Sequence, residues 1–345
     1  MPADEKNYLV LCIFDSKSDK CFQIAVQPWM LSSCARDLKF SVLLKKNIKI
    51  FDAKVFFRPV FREDSDSLCQ AFVLNCNGYS RQYDLEVFRP LVSRLARQLL
   101  ANEYVKDLTD LSFGLLVNED SGDRGSGNNR MVLSTGLQLT LAERSLLSTI
   151  KGYDGHYRLS KKHLSIFMDR KIERLMIDYV MQDTSRERAG FLTGQLCRDP
   201  KSKHIYLVCS GHITMREIEN DMDIEKNSSI THFQFNPEYF IKVNRMLAGR
   251  NNKEIIVGWY HSHPWYFETK EKPVKEQSSL FFSQDDLQVH ESAFSAPYHV
   301  GIVIGKDPGS SSKPGTQMYG WRDGRVERIL YKTVNLKKQY GVSHV

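Results

Sequence analysis

The stretch Glu254–His290, EIIVGWYHSHPWYFETKEKPVKEQSSLFFSQDDLQVH, decides how the second half of the chain folds and what it can do. Ile255, Ile256 and Val257 are β-branched and apolar, the composition of a buried strand. His261 and His263 follow at i and i+2. Strand side chains alternate faces, so this spacing aims both imidazoles to one side. Pro264 ends the strand by removing a ladder donor. After a polar loop, Ser283-Gln284-Asp285-Asp286 opens an amphipathic helix that runs through Leu287, His290 and Phe294. Two histidines from a strand and one aspartate from a helix start supply three of the four positions of a catalytic zinc site, with the fourth left to water.

Other zinc arrangements do not fit. There is no HExxH, and no HxE with PCxxC of the kind found in zinc deaminases. An HxH opening an eight-stranded barrel needs most of ~250 residues after it, whereas only 84 (345 − 261) follow His261. The remaining histidines, His156, His163, His204, His212, His232, His299 and His344, have no such spacing and are read as surface or satisfied core residues. A hydrolytic zinc site also needs a base beside its water. Glu187, in Ser185-Arg186-Glu187-Arg188-Ala189-Gly190-Phe191-Leu192-Thr193-Gly194, stands where a helix hands over to a buried strand, which can hold its carboxylate on a rigid edge. By itself, without a further signal, Glu187 reads as a solvated surface acid.

Four blocks in order resemble the JAMM (MPN+) metalloisopeptidases of the JAB/Mov34 group. They are ExxGxLxG at Glu187–Gly194, IVGWYHSHP at Ile256–Pro264, SxxD at Ser283–Asp286, and YHVGIVIG at Tyr298–Gly305. The resemblance covers roughly residues 163 to 333. It implies that His261, His263 and Asp286 bind one Zn²⁺ per chain, and it selects Asp286 over Asp285 because only Asp286 satisfies SxxD. It implies Glu187 as the general base and Ser283 as donor to the oxyanion. The implied reaction is hydrolysis after the C-terminal glycine of ubiquitin or a ubiquitin-like protein in a conjugate, whose extended tail can bind by adding a strand. One departure stands out: 18 residues (283 − 264 − 1) separate Pro264 from Ser283, more than twice the family's usual gap. The insert, residues 265–282, reads as a flap, a substrate-selecting loop or a plain surface excursion. A non-catalytic MPN scaffold, and a zinc peptidase for a small amide or sulfur-carrier precursor, are the alternatives.

The rest of the chain frames this site. Its 345 residues suffice for two cores. Residues 1–117 read as a β-rich domain with strands at Tyr8–Phe14, Phe22–Gln27, Phe40–Leu44, Lys54–Phe61, Gln70–Cys76 and Leu111–Val117. A helix from Leu85 to Asn102 carries Pro90 in its first turn or is kinked by it. Residues 118–130, NEDSGDRGSGNNR, lack any apolar side chain and read as a linker or loop. Residues 131–162 connect, with a short helix near Leu141–Thr149. From Leu164 the pattern becomes α/β, a mixed sheet flanked by helices. Strands are expected at Leu164–Met168, Ala189–Leu196, His204–Val208, Ile230–Phe235 and Tyr298–Ile304. Helices are expected after the caps Asp169 and Asn236. Residues 334–345 read as a peripheral basic tail. No family is recognised in residues 1–117, for which target or modifier recognition, self-association or a structural role are the expectations. The layout is similar to bacterial members encoded with ubiquitin-like conjugation systems, whose components are the expected partners.

Composition excludes some classes. The net charge is +7, but 48 basic residues are interleaved with 41 acids, which describes a solvated surface rather than a nucleic-acid binder. No apolar run reaches the length of a membrane span. The start MPADEKNYLVLCIFD lacks the basic n-region and cleavage site of a secretory signal. Seven cysteines without a CxxC pair read as buried free thiols. Together these give the expectation of a cytoplasmic protein.

Overall fold

The computed structural model describes residues 9–18, 20–50, 52–65, 67–117, 132–133, 139–151, 163–219, 235–250, 253–263, 279–306 and 314–337. The chain divides into two compact units, Met1–Gln138 with Asp323–Arg325, and Leu139–Arg322 with Val326–Val345. The linker read at 118–130, most of the strand expected at Ile230–Phe235, and residues 338–345 of the tail lie outside the described residues. Among the described residues, no helix is long and apolar enough to cross a membrane.

The first unit is an antiparallel sheet with helices packed against it. Its elements are β1 (Leu9–Asp15), β2 (Lys20–Ala25), α1 (Ser32–Lys46), β3 (Val55–Phe61), β4 (Leu68–Cys76), β5 (Tyr79–Asp84), α2 (Arg89–Ala101), β6 (Leu111–Val117) and β7 (Val132–Leu133). The strand order is β2-β1-β6-β4-β3-β7, with β5 also paired to β4. Leu9, Leu11 and Ile13 of β1 meet Phe57, Phe72 and Leu74 of the neighbouring strands and Leu31, Cys34, Leu38 and Val42 in and before α1 in one core. Pro90 lies in the first turn of α2, after a 3-10 turn at Leu85–Phe88.

Two expectations here are corrected. Phe40–Leu44 is not a strand but part of α1, whose Cys34, Ala35, Leu38 and Val42 recur at helical spacing and are buried. Asn47 closes that helix in the left-handed region at φ 57°, its N–H donating to the Leu43 carbonyl. The second correction is β5, which sequence reading left out. Only Asn77 and Gly78 separate the paired residues Cys76 and Tyr79, and both turn residues have positive φ, 48° and 80°. That is the turn for which Asn-Gly is the strongest short signal.

The second unit is a mixed sheet covered on both faces. It comprises β8 (Ala142–Glu143), α3 (Leu146–Thr149), β9 (Ser165–Asp169), α4 (Arg170–Val180), β10 (Ala189–Arg198), β11 (Ile205–Thr214), α5 (Met215–Glu219), α6 (Pro237–Gly249), β12 (Ile255–Ser262), α7 (Gln284–Ala293), β13 (Val300–Lys306), β14 (Pro314–Arg322), β15 (Arg325–Ile329) and β16 (Lys332–Val334). The order is β15-β14-β13-β12-β10-β11-β9-β16, with β8 added to β10. Caps start the helices as expected: the Asp169 side chain accepts from Lys171 N–H, and Asn236 from Glu238 N–H. Tyr239, Val243 and Leu247 of α6 pack with Phe191, Trp259 and Phe294 on one face. On the other face Tyr260 meets Tyr179 of α4 edge-on at 6.4 Å. The tail is also corrected. Its Val334 and Leu336 alternate with polar neighbours, β16 pairs in parallel with β9, and both side chains join a core with Phe167 and Tyr206.

Candidate metal centre

Strand β12 lies inside the sheet, between β10 and β13. Gly258 allows that placement, because a Cβ there would sit 1.8 Å from the Val300 carbonyl oxygen of β13. The chain stays extended past the strand, with His263 N–H donating to the Ile304 carbonyl at 3.2 Å. His261 and His263 therefore project to the same side, as their spacing dictates. His261 is fully buried and His263 is 9% exposed.

Helix α7 brings the carboxylate. Ser283 is its N-cap and forms a reciprocal capping box: Asp286 N–H donates to Ser283 Oγ at 3.1 Å, and Ser283 N–H donates to Asp286 Oδ2 at 2.7 Å. This local chemistry fixes the Asp286 rotamer before any ligand arrives. Asp286 is buried, while Asp285 is exposed.

The three side chains converge. His261 Nε2 lies 3.1 Å from His263 Nε2 and 3.0 Å from Asp286 Oδ1, and His263 Nε2 lies 3.3 Å from Asp286 Oδ2. One ligand atom from each falls within 4.8 Å of the others. A tetrahedral ion with bonds of 2.0–2.1 Å has ligand–ligand edges of about 3.3–3.4 Å, so the donor set and its spacing fit a zinc-sized cation. The charges agree. Burial raises the Asp286 carboxyl, but the two imidazoles outweigh it and hold the group well below the usual carboxylate range. Burial lowers His263, yet Asp286 and then Glu187 leave it raised. An ionised carboxylate beside two imidazole nitrogens is a donor set that suits a cation.

Glu187 is placed beside this cluster by strand register. Ala189 of β10 pairs with His261. Ser262 N–H donates to the Arg188 carbonyl at 2.8 Å, and Arg188 N–H donates to Ser262 Oγ at 3.0 Å. Burial pushes Glu187 up to about 7; His263 pulls it back, and the Asp286 and Asp285 carboxylates push with the burial. A carboxyl poised there exchanges protons readily near neutral pH.

Residues around the cluster were not singled out from the sequence. Phe282 stacks on Tyr319 at 4.3 Å and tilts over His261 at 5.9 Å, which anchors the end of the 265–282 insert; residues 264–278 lie outside the described set. Phe281, 52% exposed, stands edge-on to His263 at 5.1 Å. The buried His290 follows Asp286 by four residues, a spacing that puts both on one helix face. Of the histidines set aside, His212 meets the Tyr260 hydroxyl at 3.1 Å, and His299 Nδ1 accepts from Ala296 N–H at 3.2 Å. His156, His232 and His344 lie outside the described residues. Six of the seven cysteines are buried, Cys21 is exposed, and all are free.

Comparison with known proteins finds partial matches. The chain is 34% identical over 91 residues to a protein named NAD(+) hydrolase TcpA from Theionarchaea archaeon (strain DG-70-1). That match spans 26% of this chain and 22% of the relative's length. The solution structure of protein DSY2949 from Desulfitobacterium hafniense aligns over 49% of this chain and 94% of its own at 17% identity, with a TM-score of 0.28, too low to bear on the fold. Residues 169–268, which include Glu187, His261 and His263, match the sequence model of a family described as prokaryotic homologs of the JAB domain. The JAB-family match thus lies in the C-terminal half of the chain and ends before Ser283 and Asp286.

Proposed function

We propose that this domain is a zinc-dependent isopeptidase or peptidase that cuts after the C-terminal glycine of ubiquitin or a ubiquitin-like modifier. The observation that supports the reading most is the convergence of His261, His263 and Asp286 at tetrahedral spacing, with Glu187 on the adjoining strand edge. When bound, zinc supplies Lewis-acid polarisation and activates water as a nucleophile near neutral pH. The chain's own residues do the rest. Glu187 takes the proton of the attacking water and returns it to the leaving amine as the amide C–N bond breaks. Ser283 Oγ already accepts the Asp286 N–H, so its own proton is left to donate to the oxyanion developing on the substrate. Asp286 keeps its carboxylate ionised and aimed through the capping box.

The test is direct. Zinc-loaded protein is incubated with ubiquitin and ubiquitin-like proteins extended beyond their terminal glycine, with a small glycyl amide and with NAD⁺ in parallel arms. Mass spectrometry of the expected products finds a new end at the glycine, lost on adding a chelator. Zinc-loaded protein that leaves every protein substrate intact while releasing nicotinamide from NAD⁺, or cutting only the small amide, contradicts the proposal.

A further inference from the structure

We propose that His290 is a positioning residue for the metal centre: its bond to Trp259 ties strand β12 to helix α7 and so sets the distance between the histidine ligands and Asp286. The inference rests on the metal reading of His261, His263 and Asp286. Trp259 Nε1–H donates to His290 Nδ1 at 3.1 Å, both side chains being buried. Trp259 stands two residues before His261 on the same strand face and stacks on it, with ring centroids 4.6 Å apart and planes 12° apart. His290 stands one helical turn after Asp286. One hydrogen bond thus joins the two elements that carry the ligands, directly behind them.

Three further observations point to positioning rather than packing. Indole N–H is a donor only, so His290 Nδ1 must accept and its proton must sit on Nε2. Burial agrees, pushing His290 down to about 3 and keeping it neutral. A backbone hydrogen bond at His299 also engages the ring. The imidazole thus bridges from α7 to the Trp259 indole on β12 and to the backbone just before β13. Second, His261 Nδ1 lacks a partner among the described residues. Metal-binding imidazoles are ordinarily aimed by a bond at that second nitrogen; here the stacked Trp259 ring takes over that task. Third, β13 leaves room for the bond. A Cβ on Gly301 would sit 2.9 Å from Trp259 Nε1 and 3.2 Å from His290 Nδ1.

The experiment compares the full-length wild type with His290→Leu, His290→Asn and Trp259→Phe. Zinc affinity is read by chelator competition, ligand geometry by the visible spectrum of the cobalt-loaded protein, and stability by melting the metal-free form. His290→Leu is expected to weaken zinc by about 10–100-fold and to alter the cobalt spectrum; it strands the buried Trp259 Nε1–H, so the metal-free melting temperature falls, and removing that donor as well in Trp259→Phe/His290→Leu recovers the melting temperature while zinc stays weak. His290→Asn, whose Oδ1 can replace the Nδ1 acceptor, restores most of the affinity. Trp259→Phe keeps the ring, loses the donor and weakens zinc to a similar extent, and combining it with His290→Leu adds little. Zinc binding by His290→Leu and Trp259→Phe at wild-type strength overturns the inference. So does loss of affinity in Leu and Asn alike with a matching fall in melting temperature. Wild type that takes up no zinc removes the metal reading itself and this inference with it.

Discussion

Glu187→Gln is expected to lower turnover of a cleavable conjugate by about 10²–10⁴-fold, the range of a lost general base, while zinc stays bound. Glutamine keeps the shape and one acceptor oxygen but cannot take a proton. Glu187 sits on the β10 side of the site, where Ala189 pairs with His261, and it is not one of the three converging ligands. The fold should not suffer, because the backbone bonds that fix this edge belong to Arg188 and Ser262. Steady-state hydrolysis measured beside zinc content separates the outcomes. Loss of zinc together with activity makes Glu187 a ligand or a structural residue, and turnover near the wild-type rate removes it from the chemistry.

The second large effect is a contrast between neighbours. Asp286→Asn should weaken zinc by more than the roughly 10–100-fold typical of residues that merely support a ligand. It removes the negative charge that faces both imidazoles at 3.0 and 3.3 Å. The amide oxygen can still accept the Ser283 N–H, so the start of α7 should survive. Asp285→Asn should leave zinc affinity unchanged, since that side chain is exposed and outside the ligand cluster. Chelator titration of the two variants reads the difference, and the reverse ranking overturns the choice of aspartate.

Much of this site was legible because its determinants are local. Period-two alternation alone puts His261 and His263 on one side, and Ser283 three residues before Asp286 spells a capping box whatever the rest of the chain does. The fold class was legible for the same reason in the second unit, where capped amphipathic helices alternate with apolar strands. Helix α1 was not. Phe40, Ser41, Val42 and Leu43 are buried in succession, so the helix shows no clear polar face and its period is masked in the stretch that was read as a strand. Strand β5 is legible in Asn77-Gly78, but the YSRQYD that follows is polar on one face and masks the strand pattern. The tie between Trp259 and His290 could not be read from sequence, since it exists only once α7 has packed across β12.

Zinc content of the purified wild-type chain, set beside His261→Ala/His263→Ala, tests the central claim most directly. About one zinc per chain is expected in the wild type, and none in the double variant while its circular dichroism stays that of the folded protein. Wild type without zinc after loading, or a double variant that keeps it, contradicts the account.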